Sequence, residues 1–169
     1  AYSYSHLYGI PSIGMRLFTV YGPWGRPDMA PMIFAKAIME KKTINIFNYG
    51  NMKRDFTYID DVTECIFRCC KKPPLNNKTT TNLSFNNVPH KIFNIGNNTS
   101  IKLLDFINLL EKELGEKALK KFLPLQDGDV IETFADNTAL YEWINFKPKT
   151  SLENGIKKFA EWFKIYCKK

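Results

Sequence analysis

Hydrophobic and polar positions along this chain follow two periods, which predict strands and helices in alternation. Compact apolar runs bounded by Gly, Pro or Asn predict strands at 13–20, 44–47, 56–59, 92–96 and 122–125. Apolar residues spaced three and four positions apart predict helices at 1–8, 31–42, 61–72, 101–114, 138–144 and from 150 onward. This alternation predicts an α/β fold with strand 13–20 in a central parallel position, although so few strands do not make a self-contained doubly wound sheet.

Residues with special backbone or side-chain chemistry mark the ends of these elements. Gly9 and Gly115 are predicted to end helices, and Pro31 to begin one. The segment between Pro73 and Lys91 is rich in Pro, Asn and Thr without a period, which predicts a surface loop. The side chains expected to cap helix N-termini are Asp60, Ser100 and Thr150, the last in a capping box with Glu153.

The composition is that of one folded domain, with 169 residues, 44% hydrophobic and 24% charged. No apolar stretch approaches the roughly 20 residues that a membrane helix needs, and the first residues lack the features of a signal peptide, so we expect a cytoplasmic protein with no membrane partner. The four cysteines show no zinc spacing, and Cys65 and Cys69 are expected to be reduced packing residues on one helix. We therefore expect no metal site.

The formal charge of +7 raises the possibility of a nucleic-acid-binding module. The lysines are scattered in pairs near helix ends, which favours a wetted surface over a basic patch, so no nucleic-acid partner is expected. Of the 24 basic residues, four are arginine: Arg16, Arg26, Arg54 and Arg68. Such sparing use indicates positions where a bidentate guanidinium recognises phosphate or carboxylate.

Motifs for self-sufficient catalysis are missing from the sequence. The two histidines, His6 and His90, have no companion at ligand or relay spacing and are interpreted as surface or capping residues. Asp60 and Asp61 could be paired acid and base carboxylates, but adjacent acids at a helix start more often serve as a cap and a dipole partner. Neither GxGxxG nor GxxxxGK[ST] occurs, so the sequence contains no phosphate-binding glycine loop.

Several segments, in order, resemble one known family. These segments are RLFTVYGPWGRPDM (16–29), NYGNMKRDFTYIDDV (48–62), FNIGN (93–97), QDGDVIETFADNTAL (126–140) and INFKPKTSLENGIKKFAEWF (144–163). Together they resemble the C-terminal half of an extended short-chain dehydrogenase/reductase. The resemblance covers nearly the whole chain and is closest to the NAD-dependent nucleotide-sugar epimerases, especially the UDP-glucuronate 4-epimerases of capsular polysaccharide synthesis.

The resemblance implies the last Rossmann strands plus the small substrate-binding domain, with the N-terminal NAD-binding part missing. Residues 1–28 would end the Rossmann domain and 29–169 would mainly form the UDP-sugar-binding subdomain, with 54–72 and 92–96 returning to the Rossmann sheet. The catalytic Tyr-x-x-x-Lys pair and the NAD glycine loop are expected upstream of Ala1, because no such pair occurs near the start. We therefore expect a fragment, or one half of a split protein, that is inactive alone.

Roles for individual residues also follow from the resemblance. Phe18 would lie against the nicotinamide of NAD, and Thr19 would contact the substrate. Arg26 would approach either the diphosphate or a uronic carboxylate, and Arg54 would bind the UDP phosphates. The uracil would contact Asn45, Ile46 and Phe47, the ribose would contact Asp129, and Gln126 stands where some relatives carry an Arg.

The implied reaction of the complete enzyme is transient oxidation of the sugar C4 hydroxyl with NAD, rotation of the 4-keto sugar and its reduction on the other face. The expected partners are a UDP-sugar, an N-terminal half or separate chain, and a second copy in a homodimer. Three alternatives stay open: a nucleotide-sugar dehydratase or decarboxylase of the same superfamily, a non-catalytic basic binding module, and an inactive fragment.

Overall fold

A computed structural model describes residues 1–75 and 88–167, where strands and helices alternate as predicted for an α/β protein. The strands are β1 Ser12–Leu17, β2 Thr19–Tyr21, β3 Thr43–Ile46, β4 Lys53–Tyr58, β5 His90–Ile95, β6 Ser100–Lys102 and β7 Leu119–Phe122. The helices are α1 Tyr2–Tyr8, α2 Ala30–Met39, α3 Ile59–Lys71, α4 Leu103–Leu114, α5 Thr138–Ile144 and α6 Leu152–Tyr166, with a 3-10 turn at Phe47–Gly50.

The strand predicted at 13–20 is divided at Phe18 into β1 and β2, which have different partners. β1 pairs in parallel with β5, and β2 pairs in parallel with β4, so the predicted parallel pairing is confirmed. The predicted central position is wrong for the described residues, because β1 and β2 each have one partner and lie at the edge of their sheets. The Phe18 N–H continues the first ladder by donating to the Ile95 carbonyl at 3.0 Å. β6 adds to β4 in antiparallel orientation, and β7 pairs with β3 in parallel.

Two apolar cores hold these elements together. In the larger one, α2, α4 and α6 cover β3 and β4, and Phe56 of β4 stacks on Phe106 of α4 with ring centroids 4.3 Å apart. The predicted stripe of α6 buries Ile156, Phe159 and Phe163, whereas Tyr166 at its end is exposed. The smaller core joins α3, α5 and β5.

The cysteines of α3 behave as predicted from their spacing. Cys65 and Cys69 are fully buried in the smaller core, which confirms them as packing residues. Within residues 1–75 and 88–167, no three His, Cys, Asp or Glu side chains are grouped so that they could hold a metal ion. In the same residues, no helix has the length and apolarity to span a bilayer.

Several helix ends agree with the sequence-based predictions. Gly9 and Gly115 follow α1 and α4 in the left-handed conformation, with φ of 65° and 82°. Pro31 lies in the first turn of α2, and α5 has the predicted bounds. Most of the predicted loop between Pro73 and Lys91 falls at 76–87, outside the described residues, as does the Lys168–Lys169 pair.

The three predicted side-chain caps are wrong. α3 begins at Ile59, directly from the end of β4, so Asp60 lies inside its first turn and Tyr58 takes the N-cap position. Ser100 pairs in β6, which delays the start of α4 until Lys102 serves as N-cap. In both cases the pairing of the preceding strand sets the first residue of the helix, and the residue at the N-cap position makes no capping hydrogen bond through its side chain.

The start of α6 differs by one residue for a long-range reason. Ser151 is the N-cap, and its Oγ accepts the Asn154 N–H at 3.3 Å. The Thr150 N–H instead donates to the Asp61 carboxylate at 2.9 Å, which anchors the start of α6 to α3. Thr150 therefore belongs to a tertiary contact and does not form a capping box with Glu153.

The last strand also lies earlier than predicted, at Leu119–Phe122 instead of 122–125. Buried Glu111 of α4 accepts the Ala118 N–H at 3.0 Å, so the chain enters the strand immediately after the α4 turn. β7 then pairs residue by residue with β3, and its ladder ends where the Leu123 N–H donates to the Ile46 carbonyl at 2.9 Å.

Candidate functional site

A cavity of about 650 Å³ lies where the start of α2, the end of β3 and the start of β4 face a segment around residue 126. Its lining combines apolar side chains with a few charged and amide groups, which is the usual make-up of a small-molecule site. The lining residues are Thr19, Asp28, Met29, Ala30, Ile33, Phe34, Thr43, Ile44, Asn45, Phe47, Met52, Arg54, Phe56, Leu103, Gln126 and Asp129.

Arg54 of β4 is the cation in this lining, and its side chain is 17% exposed. Its Nη1 donates to the carbonyls of Lys53 (2.9 Å) and Ile131 (3.2 Å), and its Nη2 donates to Asp129 Oδ1 at 2.8 Å. The same Oδ1 accepts the Val130 N–H at 2.8 Å. The hydrogen bonds found in the described part of the chain thus use two N–H groups of Nη1 and one of Nη2, which leaves Nε and the second Nη2 hydrogen for a ligand.

The segment that carries Gln126 and Asp129 is tied to the strands on both sides. The Lys53 N–H donates to the Ile131 carbonyl at 2.9 Å, and the Thr133 N–H returns to the Lys53 carbonyl at 3.2 Å. At the other end, the Leu123 N–H is held by Ile46 of β3. We call residues 123–133 the outer wall, because they close the cavity opposite α2.

Behind the outer wall, Asp55 is a fully buried carboxylate that joins three segments. Its oxygens accept the backbone N–H groups of Asn97 (2.6 Å) and Ala135 (3.1 Å), and its own N–H donates to Thr133 Oγ1 at 3.1 Å. Charged acceptors make the stronger hydrogen bonds in proteins. Asp55 therefore fixes the end of the outer wall to the strand that carries Arg54.

A second arginine–aspartate pair lies at the opposite side of the cavity, in the segment between β2 and α2. Arg26 donates through Nε to Asp28 Oδ1 at 3.1 Å and through Nη2 to Oδ2 at 2.5 Å. The hydrogen bond from Arg26 lowers the pKa of the Asp28 carboxyl, which keeps the pair charged. Asp28 lines the cavity, whereas the Arg26 side chain is 72% exposed at its edge.

Residues 1–96 match the family described as NAD dependent epimerase/dehydratase. The chain belongs to this family. Among curated relatives, Protein CapI of Staphylococcus aureus is 47% identical over 100% of this chain and 52% of that protein. A probable UDP-glucuronate 4-epimerase of Rhizobium meliloti is 43% identical over 96% of this chain and 49% of that protein. The chain thus spans about half the length of the curated relatives it matches.

Solved structures of epimerases have the same fold. The UDP-glucuronic acid 4-epimerase from Bacillus cereus, in complex with UDP-glucuronic acid and NAD, superposes with a TM-score of 0.80 at 33% identity, covering 97% of this chain and 48% of that one. The UDP-glucose 4-epimerase from Thermotoga maritima, with UDP-glucose, gives a TM-score of 0.80 at 26% identity, covering 98% and 50%. The α/β fold and the resemblance to extended short-chain dehydrogenases are confirmed.

The cavity brings together most of the residues that the epimerase resemblance assigned to the substrate. Ile46 and Arg26 are the exceptions: the Ile46 side chain is buried in the larger core, and Arg26 reaches the cavity through Asp28. Their roles, like those of the residues in the lining, stay predictions. The predicted residues that line the cavity are Thr19, Asn45, Phe47, Arg54, Gln126 and Asp129.

Sequence reasoning missed Asp28 and the apolar face of α2. Asp28 lies in the RPDM sequence, in which Arg26 is the predicted ligand-binding residue. Ile33 and Phe34 lie in the predicted helix at 31–42 without any predicted contact to a ligand, and they line the cavity. The proximity of RPDM to the start of α2 was the available signal, because a helix N-terminus next to a basic motif suits an anionic ligand.

The residues of this epimerase-family chain do not by themselves fit NAD. The sequence contains no glycine-rich phosphate loop, and Phe18, the predicted nicotinamide contact, is half-buried at the break between β1 and β2 and outside the cavity lining. A Tyr-x-x-x-Lys spacing does occur at Tyr49 and Lys53, but Tyr49 has left-handed backbone angles and Lys53 lies in β4, where its Nζ is 3.5 Å from Glu132. That pair does not form one face of a helix.

The other titratable residues considered for acid–base chemistry are His6, His90 and Asp61, and they lie away from the cavity. His90 accepts or donates a hydrogen bond with Ser12 Oγ at 2.6 Å between β5 and β1, and His6 is exposed on α1. Asp61 accepts backbone N–H groups at the start of α6. None of these residues lines the cavity.

Proposed function

We propose that this chain is the substrate-binding half of an NAD-dependent nucleotide-sugar 4-epimerase that converts UDP-glucuronate to UDP-galacturonate. The observation that carries the proposal is the cavity in which Arg54, Asp129 and Gln126 meet the apolar start of α2. The relatives named UDP-glucuronate 4-epimerase support this substrate, and the similarity to Protein CapI supports a role in capsule or surface polysaccharide synthesis.

The cavity has complementary groups for each part of a nucleoside diphosphate. Arg54 offers two N–H groups to the diphosphate, and a guanidinium suits phosphate oxygens because its donors are planar and permanently charged. The N-terminus of α2, at Ala30, adds the positive end of a ten-residue helix to the same cavity. Phe47 and Ile33 provide apolar surface for the uracil ring, and Asp129 provides an acceptor for ribose hydroxyls.

This arrangement explains what the chain contributes to an epimerase. A 4-keto sugar must turn over between oxidation and reduction, so the nucleotide has to stay fixed while the sugar moves. The outer wall and Arg54 hold the UDP end, and no redox step is assigned to these residues because they do not fit NAD. The catalytic Tyr and Lys and the NAD site belong, in this proposal, to an N-terminal half or a separate chain.

The two apolar cores support the same division of labour. The larger core, with α2, α4 and α6, underlies the cavity and would belong mainly to the substrate-binding subdomain beginning at residue 29, although Tyr21, Phe56 and Tyr58 of the predicted Rossmann segments also pack in it. The smaller core, with β5, α3 and α5 against β1, would be the end of the Rossmann domain; segment 92–96 and the α3 part of segment 54–72 pack in it. We infer a homodimer for the complete enzyme, as the resemblance implies.

Calorimetric titration of UDP and UDP-glucuronate into the 169-residue chain tests the proposal. We expect both to bind, and Arg54→Ala to weaken UDP binding by about 10- to 100-fold, because one or more charge-assisted hydrogen bonds to phosphate are lost. Arg68→Ala is the matched control, since Arg68 on α3 also pairs with a carboxylate, Glu64, at 2.6 Å but lies outside the cavity lining.

Equal UDP affinity in the unaltered chain and in Arg54→Ala would contradict the site. A folded chain that binds neither ligand would contradict the proposal that this half holds the nucleotide on its own. For the complete protein, a product assay distinguishes the activities within the family: inversion at C4 supports the epimerase, whereas loss of water or of carbon dioxide would identify a dehydratase or a decarboxylase.

A further inference from the structure

The segment between β2 and α2 contains a tight turn with a bulky residue at a position that usually takes glycine. In this turn the Gly25 N–H donates to the Gly22 carbonyl at 3.3 Å, and Pro23 and Trp24 are the two central residues. Trp24 has a φ of 60°. The second central position of such a turn is usually Gly or Asn, because a bulky side chain with positive φ is strained. Backbone strain of this kind points to a role for the Trp24 side chain.

The Trp24 ring packs against the end of α6. Its centroid lies 5.6 Å from that of Trp162 and 5.8 Å from that of Tyr166, and the latter two rings stack on each other at 4.9 Å. We call Trp24, Trp162 and Tyr166 the aromatic clasp. Aromatic rings in tilted or edge-to-face contact attract each other beyond the area that they bury. The aromatic clasp therefore ties the turn to α6, although Trp24 remains 80% exposed.

We propose that Trp24 is a positioning residue, which holds segment 22–29 against α6 so that Asp28, Met29 and the N-terminus of α2 keep their places in the cavity. The inference rests on the nucleotide site proposed above. It assigns a part in ligand binding to the end of α6, which contributes no residue to the cavity lining.

In the described part of the chain, every hydrogen bond of residues 23–28 is local. Besides the turn itself, the Arg26 carbonyl accepts the Met29 N–H at 3.2 Å, and the Arg26 side chain donates to Asp28. Neither bond reaches α6 or a strand. The connection between this segment and α6 is therefore made by packing, and the aromatic clasp supplies its ring contacts.

The segment faces α6 on one side and the cavity on the other. Pro27 lines a groove of about 380 Å³ together with Phe163 and Tyr166 of α6. The next two residues, Asp28 and Met29, line the cavity. Because α6 and the cavity lie on opposite sides of a short stretch of chain, a shift of the turn away from α6 would move the cavity lining.

Loss of the aromatic clasp should therefore act on ligand affinity. A segment that is no longer tied to α6 samples more conformations, and a ligand must order it on binding, which opposes affinity. General destabilisation would instead lower the fraction of folded chain, and with it the apparent stoichiometry of binding. Dissociation constant and stoichiometry, measured together, distinguish the two effects.

Calorimetric titration of UDP into the unaltered chain and into Trp24→Asn tests this role. Asparagine tolerates a positive φ but lacks the ring, so the variant removes the contact without adding strain. We expect UDP to bind about two- to tenfold more weakly at unchanged stoichiometry, because the ligand must now order the segment. The midpoint of thermal unfolding should change by less than about 2 °C, since the lost ring is largely exposed and the strain is relieved.

Two conservative variants and one double variant complete the test. Trp24→Phe and Tyr166→Phe keep a ring at each position, so both should bind UDP within about twofold of the unaltered chain. Tyr166→Ala should weaken UDP binding, although Tyr166 lies outside the cavity lining. The double variant Trp24→Asn/Tyr166→Ala should lose no more affinity than Trp24→Asn alone, because both substitutions remove the same contact.

A UDP affinity of Trp24→Asn within about twofold of the unaltered chain would overturn the role of Trp24, while leaving the proposed nucleotide site intact. The same holds for an equal loss in Trp24→Phe, or for losses that add up in the double variant. Failure of the unaltered chain to bind UDP would overturn both the proposed function and this inference.

Discussion

Replacement of Asp55 by asparagine should destabilise the chain far more than its small chemical change suggests. The Asp55 carboxylate is fully buried, and its two oxygens accept different backbone donors, Asn97 N–H through Oδ1 and Ala135 N–H through Oδ2. An asparagine can present a carbonyl oxygen to one of these donors, but its amide nitrogen then faces the other. One buried N–H therefore meets a second donor.

The expected loss can be worked out from these contacts. A buried donor without an acceptor costs about 1–3 kcal/mol, and the remaining hydrogen bond loses the strengthening that a charged acceptor provides. We therefore expect Asp55→Asn to lower the free energy of unfolding by about 2–4 kcal/mol. For a chain of this size, that corresponds to a fall of about 5–15 °C in the unfolding midpoint.

Urea denaturation followed by circular dichroism measures this loss, provided that the slope with urea is the same in both proteins. Asp127→Asn is the matched control, because Asp127 undergoes the same substitution in the outer wall but is exposed. A loss in Asp55→Asn of less than about 1 kcal/mol, or one equal to the Asp127→Asn value, would refute the reasoning. It would mean that backbone pairing alone holds the outer wall against β4.

Further measurements address other contacts. Gly155→Ala in α6 should destabilise the chain by about 1–3 kcal/mol in urea titrations, because the new Cβ would clash with the Tyr21 hydroxyl oxygen. Alanine is otherwise preferred to glycine in helices, so a stabilised variant would contradict the packing of α6 against Tyr21. Burial alone would raise the pKa of the Glu111 carboxyl, but hydrogen bonds from Lys120, Lys117 and the Ala118 N–H lower this pKa below its ordinary value of 4.5. The ionised carboxylate therefore stabilises the folded chain above pH 4.5, and this stabilisation is lost as the pH falls through the lower pKa of the folded state. Glu111→Gln should flatten the acid limb of stability measured against pH, and an unchanged limb would argue against that network. Two of the four cysteines are buried and two are exposed, and burial raises the pKa of the Cys65 thiol to about 12. Reaction of the native chain with a thiol reagent should therefore show two slow and two fast cysteines, and four equal rates would contradict the packing of the smaller core. The slow pair is Cys65 and Cys69, and the fast pair is Cys70 and Cys167.

Local sequence patterns predicted those elements whose boundaries depend on local chemistry. α5 has its predicted bounds, and Gly9 and Gly115 end α1 and α4 because a left-handed residue stops a helix wherever it stands. The pattern failed where a contact with a residue far away in the sequence determines the start of a helix. Thr150 looked like a capping residue, but Asp61, which is 89 positions away, accepts its N–H, and no periodicity contains that contact.

The candidate site was predictable to a similar extent. Arg54 and Asp129 could be found because they stand in motifs, and the structure joins them by an ion pair of 2.8 Å. Asp28 could not be recognised, since its importance depends on facing a cavity that is formed only when α2, β4 and the outer wall meet. Ile46 was assigned to the ligand although the strand pattern argues against it. Side chains of neighbouring strand residues point to opposite faces of a sheet, and the Ile46 side chain lies in the core while Asn45 lines the cavity.

Polar contacts between remote segments also connect the stability of the chain to the proposed binding of a nucleotide. Arg54 and Asp55 are neighbours on β4, yet Arg54 binds Asp129 in the middle of the outer wall and the Asp55 N–H donates to Thr133 at its end, so two adjacent residues hold this half of the outer wall. A nucleotide that binds Arg54 must compete with Asp129 for its donors, unless it uses the N–H groups that Asp129 leaves free. In the first case, loss of the Arg54–Asp129 ion pair would offset part of the binding free energy and weaken the affinity; in the second, the ligand would add to the ion pair and bind more tightly. In either case, a ligand at about 100 times its dissociation constant would stabilise the chain by about 2.7 kcal/mol. The two free donors on Arg54 favour the second case, in which the Arg54–Asp129 ion pair is kept when a nucleotide binds.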